Sequence, residues 1–535
     1  MNLVWTDIKL PVDQDVAELP DILARRLKLR REYIKNWQIV RRSVDARKKP
    51  EIFFVYTVAF SIPSPGSEFR RVLARYPQLR ERSVDEVRII NSIPEKRLSS
   101  RPVIVGSGPA GYFAALTLAE KGYRPLVLER GDDVETRSSI VSGFWQGQKL
   151  DPESNVQFGE GGAGTFSDGK LTTRIDDARV RKVLETFCAF GADQEICYAA
   201  KPHIGTDVLK HVVAAIRKKI QDLGGEVCFR TRVSGLIIRN GRLEGLEIDA
   251  KDSLFAEAVI LAVGNSARDV YEFLQQSGIS LESKPLAIGL RIEHPQELIN
   301  LSQYGVIRHP RLGAADYQLT YKDAATGRGA YTFCMCPGGQ VIASSSEEGG
   351  IVINGMSNSR RDSGIANSAV VVTVSPMDYG SRDPLAGITF QREWERKAFQ
   401  AGGNNYYVPA QTVQDFLNHK LSGEFALKPS YQPGYVPNDL HAVLPKEISG
   451  VLERALMAFD QKIKGFAGTE ATLTGIESRT SAPVRILRDE SGQSVNVQGL
   501  FPAGEGAGYA GGITSSAVDG IKAAEKLMAH YAMKE

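Results

Sequence analysis

Two glycine-rich turns, nearly four hundred residues apart, constrain what this 535-residue chain can fold into. The first lies in Val103-Ile104-Val105-Gly106-Ser107-Gly108-Pro109-Ala110-Gly111 and the second in Leu500-Phe501-Pro502-Ala503-Gly504-Glu505-Gly506-Ala507-Gly508. In the first, Gly106, Gly108 and Gly111 have the GxGxxG spacing of a strand-to-helix phosphate turn. The first glycine permits the tight turn, the second lets backbone approach a pyrophosphate, and the third lets helix pack closely on strand. Tyr112–Lys121 reads as the helix, whose N-terminus offers unpaired N–H groups and the positive end of its dipole. Leu126–Glu129 reads as the next strand, ending on an acid 18 residues past Gly111, where a carboxylate can accept hydrogen bonds from a ribose.

That fingerprint alone does not separate NAD from FAD. Other segments do. Glycines crowd 158–170, where Gly161, Gly162, Ala163, Gly164 and Thr165 offer backbone that a ligand can approach closely. At the C-terminal end, Gly504 and Glu505 are followed by Gly512-Ile513-Thr514-Ser515-Ser516-Ala517, which opens a last helix with small residues. Its N-terminus can face the pyrimidine oxygens of a flavin and stabilise negative charge on the reduced ring. NAD needs neither extra segment, so FAD is the expected cofactor, with NAD(P)H at most a transient electron donor. Ser107, Pro109, Ala110, Glu129, Arg130, Val233, Ala262 and Gly264 complete the set expected to hold it.

The rest of the chain divides around this nucleotide fold. Residues 1–95 read as a small α+β unit. Leu3–Leu10 alternates as a strand, Val16–Leu29 has helical spacing, and Trp37–Val44 and Glu51–Ile62 read as strands meeting at the basic turn 46–50. A helix over Phe69–Tyr76 and a strand over Val84–Ile90 would complete a ferredoxin-like βαββαβ order. Residues 96–284 read as the first part of a Rossmann-like FAD-binding domain, with Asp207–Leu223 a helix capped by Thr206. Ala258–Val263 reads as a further buried strand. Residues 285–446 read as an inserted β-rich α+β domain that binds substrate, and 447–535 as the return to the FAD-binding fold. The expected class is therefore α/β.

Several segments resemble a known family. The glycine turns are similar to those of two-dinucleotide flavoproteins related to glutathione reductase. FGEGGAGTFSDGKL (158–171), KPHIGTD (201–207), GLRIEHPQ (289–296), TFCMCPGG (332–339), GMSNSRRDSG (355–364) and TGIESRTSAPVRI (474–486) resemble, more narrowly, bacterial FAD-dependent dehydrogenases of unassigned substrate. The resemblance spans essentially the whole chain. It implies Gly504 and Glu505 at the pyrophosphate and ribitol, with Glu505 standing where Asp is common. There is no second GxGxxG for a separate NAD(P)H domain and no CxxC beside the flavin turn, which argues against a disulfide reductase.

Candidates for chemistry lie between the turns. Cys334 and Cys336 would share one face of a strand. They read either as a redox or substrate-facing pair or as two inert core thiols. His203, just before a helix, is a proton donor, a carboxylate ligand or a loop fastener. Glu477, Arg479 and Thr480 are placed to meet the isoalloxazine edge or an anionic substrate, Arg479 above all since a guanidinium matches a planar carboxylate, and Lys170 either approaches flavin N5 or N1 or is a solvated loop lysine. Arg291, Glu293 and His294 form a charged trio that faces the cleft or braces the fold. No metal site is expected. Residues 1–100 hold 20 Lys/Arg against 13 Asp/Glu, which reads as a solvated basic surface or, alternatively, as a nucleic-acid surface of an RNA-modification accessory or regulator. The charged start, the lack of a long apolar run and five scattered cysteines lead us to expect a cytoplasmic enzyme acting on a small molecule without membrane contact.

Overall fold

The first sheet follows from alternation of apolar and polar residues. In the computed structural model, which describes residues 1–63, 76–81, 94 and 96–533, strand β1 (Asn2–Pro11) buries Leu3, Trp5, Ile8 and Leu10. The inward positions switch from odd to even at a bulge between Trp5 and Ile8, where the extra residue restores one apolar face. Helix α1 (Leu19–Leu27) lays Leu19, Leu23 and Leu27 against that face. Strands β2 (Lys35–Lys48), β3 (Glu51–Ser61) and β4 (Leu79–Glu81) complete an antiparallel sheet of order β2-β3-β1-β4. The strand expected at Val84–Ile90 lies outside the described residues, as does nearly all of the helix expected at Phe69–Tyr76. Arg42 fastens this unit to the nucleotide fold: its N–H donates to Tyr198 O at 2.7 Å, its carbonyl accepts from Ala200 N at 2.8 Å, and its guanidinium pairs with Glu195. Part of the basic surface is thus internal to the protein.

The nucleotide fold begins with β5 (Val103–Val105), wholly apolar and wholly buried as a central parallel strand should be. Helix α2 (Pro109–Glu120) follows, with Ala110 to Ala119 all buried; it is apolar all round because it lies between layers. β6 (Leu126–Leu128), helix α3 (Thr206–Asp222), β7 (Glu226–Cys228) and β8 (Val259–Leu261) extend the sheet. Thr206 is the first residue of α3 and not its cap. Gly205 holds the cap position at φ +89°, which leaves the Thr206 hydroxyl to donate to Thr165 O at 2.5 Å.

The second domain is built on a seven-stranded sheet. Its strands are β9 (Leu286–Pro295), β10 (Thr320–Lys322), β11 (Gly329–Cys336), β12 (Ile365–Val374), β13 (Val408–Thr412), β14 (Tyr435–Pro437) and β15 (Thr472–Glu477), in the order β10-β11-β12-β9-β15-β13-β14. Among the described residues four helices belong to it: Gln296–Tyr304, Ala386–Ala401, the short α4 (Val413–Leu417) and α5 (Lys446–Lys462). The apolar face of α5 (Ile448, Val451, Leu452, Ala455, Leu456, Phe459) joins the core of this sheet. The boundary expected at 446 is corrected by this topology. β15 hydrogen-bonds both β9 and β13, so the second domain continues through Glu477 before the chain returns.

β16 (Leu500–Pro502) then joins the parallel sheet beside β8, giving the order β16-β8-β5-β6-β7. The last helix, α6 (Ile513–His530), packs along α2. They meet at Gly520, where a Cβ would stand 2.0 Å from the carbonyl oxygen of Ala110. No helix among the described residues is long and apolar enough to cross a membrane.

The contact gives a prediction with opposite signs at two helical glycines. Gly450→Ala in α5, where a Cβ meets only the far end of Arg454 at 3.6 Å, should stabilise by up to about 1 kcal/mol. Gly520→Ala should destabilise by about 2 kcal/mol, because the helices must separate. Thermal unfolding of the flavin-loaded variants measures both.

Candidate active site

β5, β8 and β16 are neighbours and parallel, so the turns that follow them open on one edge of the sheet, where open α/β folds bind ligands. Between this edge and the second domain runs a cleft of about 1650 Å³, counting its open mouth. Its walls take in both glycine turns, the second glycine loop and residues of the second domain. Gly106, Gly108, Pro109 and Ala110 line it from the first turn, and Gly504, Glu505, Gly512 and Ile513 from the second. Gly162, Ala163 and Gly164 close one side, and Val233, Ala262 and Gly264 lie at the ends of neighbouring strands.

Each glycine of the first turn does what its spacing implies. Gly106 has φ +99°, and a Cβ on Gly111 would stand 1.8 Å from Gly106 O. On Gly108 a Cβ would meet nothing closer than Gly162 Cα at 3.9 Å, so backbone is bared toward the cleft. Gly512 has φ +99° and nothing within 4 Å of its Cβ position. The N-termini of α2 and α6 therefore both point bare backbone into one cleft.

Other expected contacts fall behind this lining. Ser107, Gly111, Gly161, Thr165 and Thr514 are not among the residues that wall the cleft. Thr165 Oγ1 donates to Glu160 O and Thr514 Oγ1 to Leu171 O, so both hydroxyls fasten loops. Glu129 reaches the cleft, yet its oxygens already accept from Ser107 N and Oγ (2.9 and 2.7 Å), Gly131 N (2.9 Å) and Gly159 N (3.0 Å). Its main work is to tie the glycine turn to the second glycine loop. Arg130 is held by Glu153 and Asp269 and lies over the Phe158 ring at 4.2 Å. Glu505 accepts from Asn265 Nδ2 at 3.0 Å, and burial pushes its carboxyl up.

The far end of the cleft carries the reactive groups. Cys334 lines it; Cys336 does not. The strand is irregular between Phe333 and Cys336, with Cys334 at φ +45°, so the pair does not sit as i and i+2 of a regular strand. Cys336 is buried and donates to Cys334 O at 3.3 Å. The neighbouring Cys336 thiol, with Lys170 and Arg291, draws the Cys334 thiol well below its ordinary value against its burial. Cys336 is pushed up by the same pairing. Lys170 Nζ is buried without a hydrogen-bond partner, 3.7 Å from Asp168 Oδ2. Asp168 is occupied by Arg361 and Ser357. Fully buried Arg291 donates to Glu477 Oε2 at 2.9 Å, to Asn367 Oδ1 at 2.8 Å and to Cys334 O at 2.6 Å. Burial raises the Glu477 carboxyl to about 7 despite Arg291.

Two expectations need correction. Arg479 lines the cleft, but its guanidinium is committed to Glu395 (3.2 and 3.0 Å) and Ser346 Oγ (2.6 Å), so it is not free for a substrate carboxylate. His203 lies outside the lining, its Nε2 against Ser359 O at 3.1 Å, and burial holds it below its usual pKa. It fastens a loop and is not placed to donate a proton. The trio of β9 divides likewise: Glu293 accepts from Ser430 and His294 bonds Phe466 O, both away from the cleft. Asp168, Arg361 and Asn265 were not singled out by sequence. For Asp168 the signal was present, inside the glycine-rich loop.

Comparison with known proteins fits this geometry. Residues 100–269 match the family described as pyridine nucleotide-disulphide oxidoreductase, and 285–480 the FAD-dependent protein, C-terminal domain-like family. Residues 2–61 match a domain of unknown function. The chain belongs to a bacterial family of FAD-dependent oxidoreductases whose substrate is unassigned. It is similar along nearly its whole length to an uncharacterized protein of Clostridium beijerinckii (strain ATCC 51743 / NCIMB 8052), with 49% identity over 535 residues and 99% of each chain covered. Protein FixC of Escherichia coli (strain K12) is 27% identical over 202 residues, 37% of this chain and 44% of FixC. Among solved structures, the FAD-complexed glycerol-3-phosphate dehydrogenase of Bacillus halodurans aligns at 12% identity over 81% of this chain and 64% of that one, with a TM-score of 0.32. FAD is the cofactor. The residues fit it: bare backbone at Gly108 and Gly512 gives the pyrophosphate and flavin ring the close approach they need, and the Lys170 amine, which makes no hydrogen bond, lines the same cleft.

The electrostatics predict selective alkylation. In flavin-free protein at pH 6, Cys334 should react with iodoacetamide ahead of the other four cysteines, since an ordinary thiol is protonated there. Lys170→Met should move the Cys334 labelling profile to higher pH. Peptide mapping by mass spectrometry reads both.

Proposed function

We propose that this protein is an oxidoreductase that moves a hydride or electron pair between FAD and a small anionic organic substrate bound where the cleft meets the second domain. The observation that carries this reading is the Lys170 amine in the wall it shares with Cys334 and Glu477: its Nζ makes no hydrogen bond, and its ion-pair neighbour Asp168, 3.7 Å away, is already bonded by Arg361 and Ser357. A covered ammonium that makes no hydrogen bond is costly, and an anionic ligand that accepts from it relieves that cost. When bound, FAD supplies the two-electron redox capacity.

The chain's own groups do the rest. Lys170 binds and orients a carboxylate or comparable anion. Glu477, titrating at about 7 and anchored through Oε2 to Arg291, holds or takes a proton at Oε1 as the substrate's hydroxyl or amine is oxidised. Cys334 as a thiolate adds negative charge beside Lys170 and Arg291. Arg479, Arg268 and Glu395 keep the wall rigid: Arg268 donates to both oxygens of Glu395 at 2.9 and 2.7 Å. Five free cysteines support work in a reducing compartment, the cytoplasm. The alternative, an RNA-modification accessory acting through residues 1–95, draws no support from the relatives, whose match there is a domain of unknown function.

Anaerobic mixing with a panel of hydroxy- and amino-carboxylates, and with NADH and NADPH, tests the reading through bleaching of the flavin. At least one carboxylate should bleach it, and Lys170→Met should raise KM for that donor by about 10- to 100-fold with flavin content unchanged. Glu477→Gln should lower kcat and abolish its fall as pH drops through about 7. A flavin that stays oxidised with every donor would count against an oxidoreductase of this kind.

A further inference from the structure

Away from the flavin cleft, three residues from separate segments of the second domain converge. His419 lies two residues past the end of α4, His441 in the short 3-10 turn Leu440–Val443, and Glu453 midway along α5. His419 Nε2 is 3.5 Å and His441 Nδ1 3.6 Å from the same Glu453 oxygen, and the three ligand atoms lie within 4.8 Å of one another. We propose that His419, His441 and Glu453 form a binding site for one divalent transition-metal ion, zinc in class, on the second domain.

The argument rests on donor chemistry and on how the donors are held. Zinc bonds imidazole nitrogen and carboxylate oxygen at about 2.0–2.2 Å, so tetrahedral ligand atoms stand about 3.3–3.5 Å apart. Both measured separations come within a few tenths of an ångström of that. His441 Nε2 lies 3.0 Å from Phe416 O. A carbonyl can only accept, so the ring proton is held on Nε2, and Nδ1, the nitrogen that faces Glu453, is left with its lone pair. This is the outer hydrogen bond that orients metal-bound imidazoles. The ring is further fixed by stacking on Phe416 at 4.1 Å and 2°. His419 stacks on His441 at 4.5 Å and 18°, an arrangement that two imidazolium charges would oppose and one shared cation favours.

The side chains of His441 and Glu453 are mostly covered, whereas that of His419 is 64% exposed. Water can therefore complete the coordination from the open side. Two imidazoles and a carboxylate select zinc-like cations over calcium or magnesium, which prefer all-oxygen shells. Bound there, the ion would clip the end of α4 and the turn at His441 to α5, which packs on the main sheet.

The test uses the flavin-loaded protein without an affinity tag, stripped with chelator and titrated with zinc chloride by calorimetry, with metal content measured after dialysis. One zinc per chain is expected. His419→Ala and Glu453→Gln should each weaken binding, His419→Ala by about a hundredfold, and zinc should raise Tm of the parent protein but not of these variants. His419→Ala removes a largely exposed side chain, so loss of binding with flavin retained is not a folding failure. Cys188 and Cys197, with sulfurs 3.1 Å apart, are the competing donors, and Cys188→Ser should leave binding intact. Absence of stoichiometric zinc, or binding that survives both His419→Ala and Glu453→Gln, overturns the proposal.

Discussion

The close approach of α2 and α6 is the contact on which the rest of the site depends. With no side chain at Gly520, the last helix settles against the Ala110 carbonyl at a distance that excludes even a methyl group. That packing puts the N-termini of both helices on the edge formed by β5, β8 and β16. The two turns, far apart in sequence, then address one ligand. Each alone would be a weak anion site; together with the second glycine loop they line one cleft.

A second constraint holds the opposite wall. β9 is buried at nine of its ten positions and yet carries Arg291. A charge in that position persists only when its donors are satisfied, and Asn367, Glu477 and Cys334 O satisfy them. Because those partners sit on β12, β15 and β11, the arginine ties three strands together and fixes Glu477 and the backbone of Cys334 where they line the cleft. The Arg268–Glu395–Arg479 group performs the same service nearby, joining the nucleotide fold to the second domain. Lys170 differs in making no hydrogen bond, its ion pair with Asp168 being 3.7 Å long, which is why substrate binding is assigned to it and not to Arg479.

The parallel sheet and its cofactor were legible because strand, turn and helix follow one another locally, with glycine spacing that has a direct steric meaning. Gly106, Gly108 and Gly111 behave as their spacing requires. What depended on distant contacts was not legible. Arg479 read as a substrate ligand, and only the fold reveals that Glu395, 84 residues earlier, already occupies it. His203 was ambiguous for the same reason, its partner being a backbone carbonyl at Ser359. The Cys334–Cys336 pair looked like a regular strand face until the irregularity before Cys336 separated one thiol from the cleft. The domain boundary at 446 failed because β15 joins its sheet across sequence distance, which periodicity cannot register. His419, His441 and Glu453 left no local pattern at all.

The central claim is that one FAD lies along this cleft with its redox end against the second domain. Protection of Cys334 from alkylation in flavin-free protein tests it most directly, with ADP as the comparison ligand. Saturating FAD should protect Cys334, and ADP, which carries the pyrophosphate and adenosine but no flavin ring, should not. Unchanged labelling in the presence of bound FAD, or equal protection by ADP, would contradict the account.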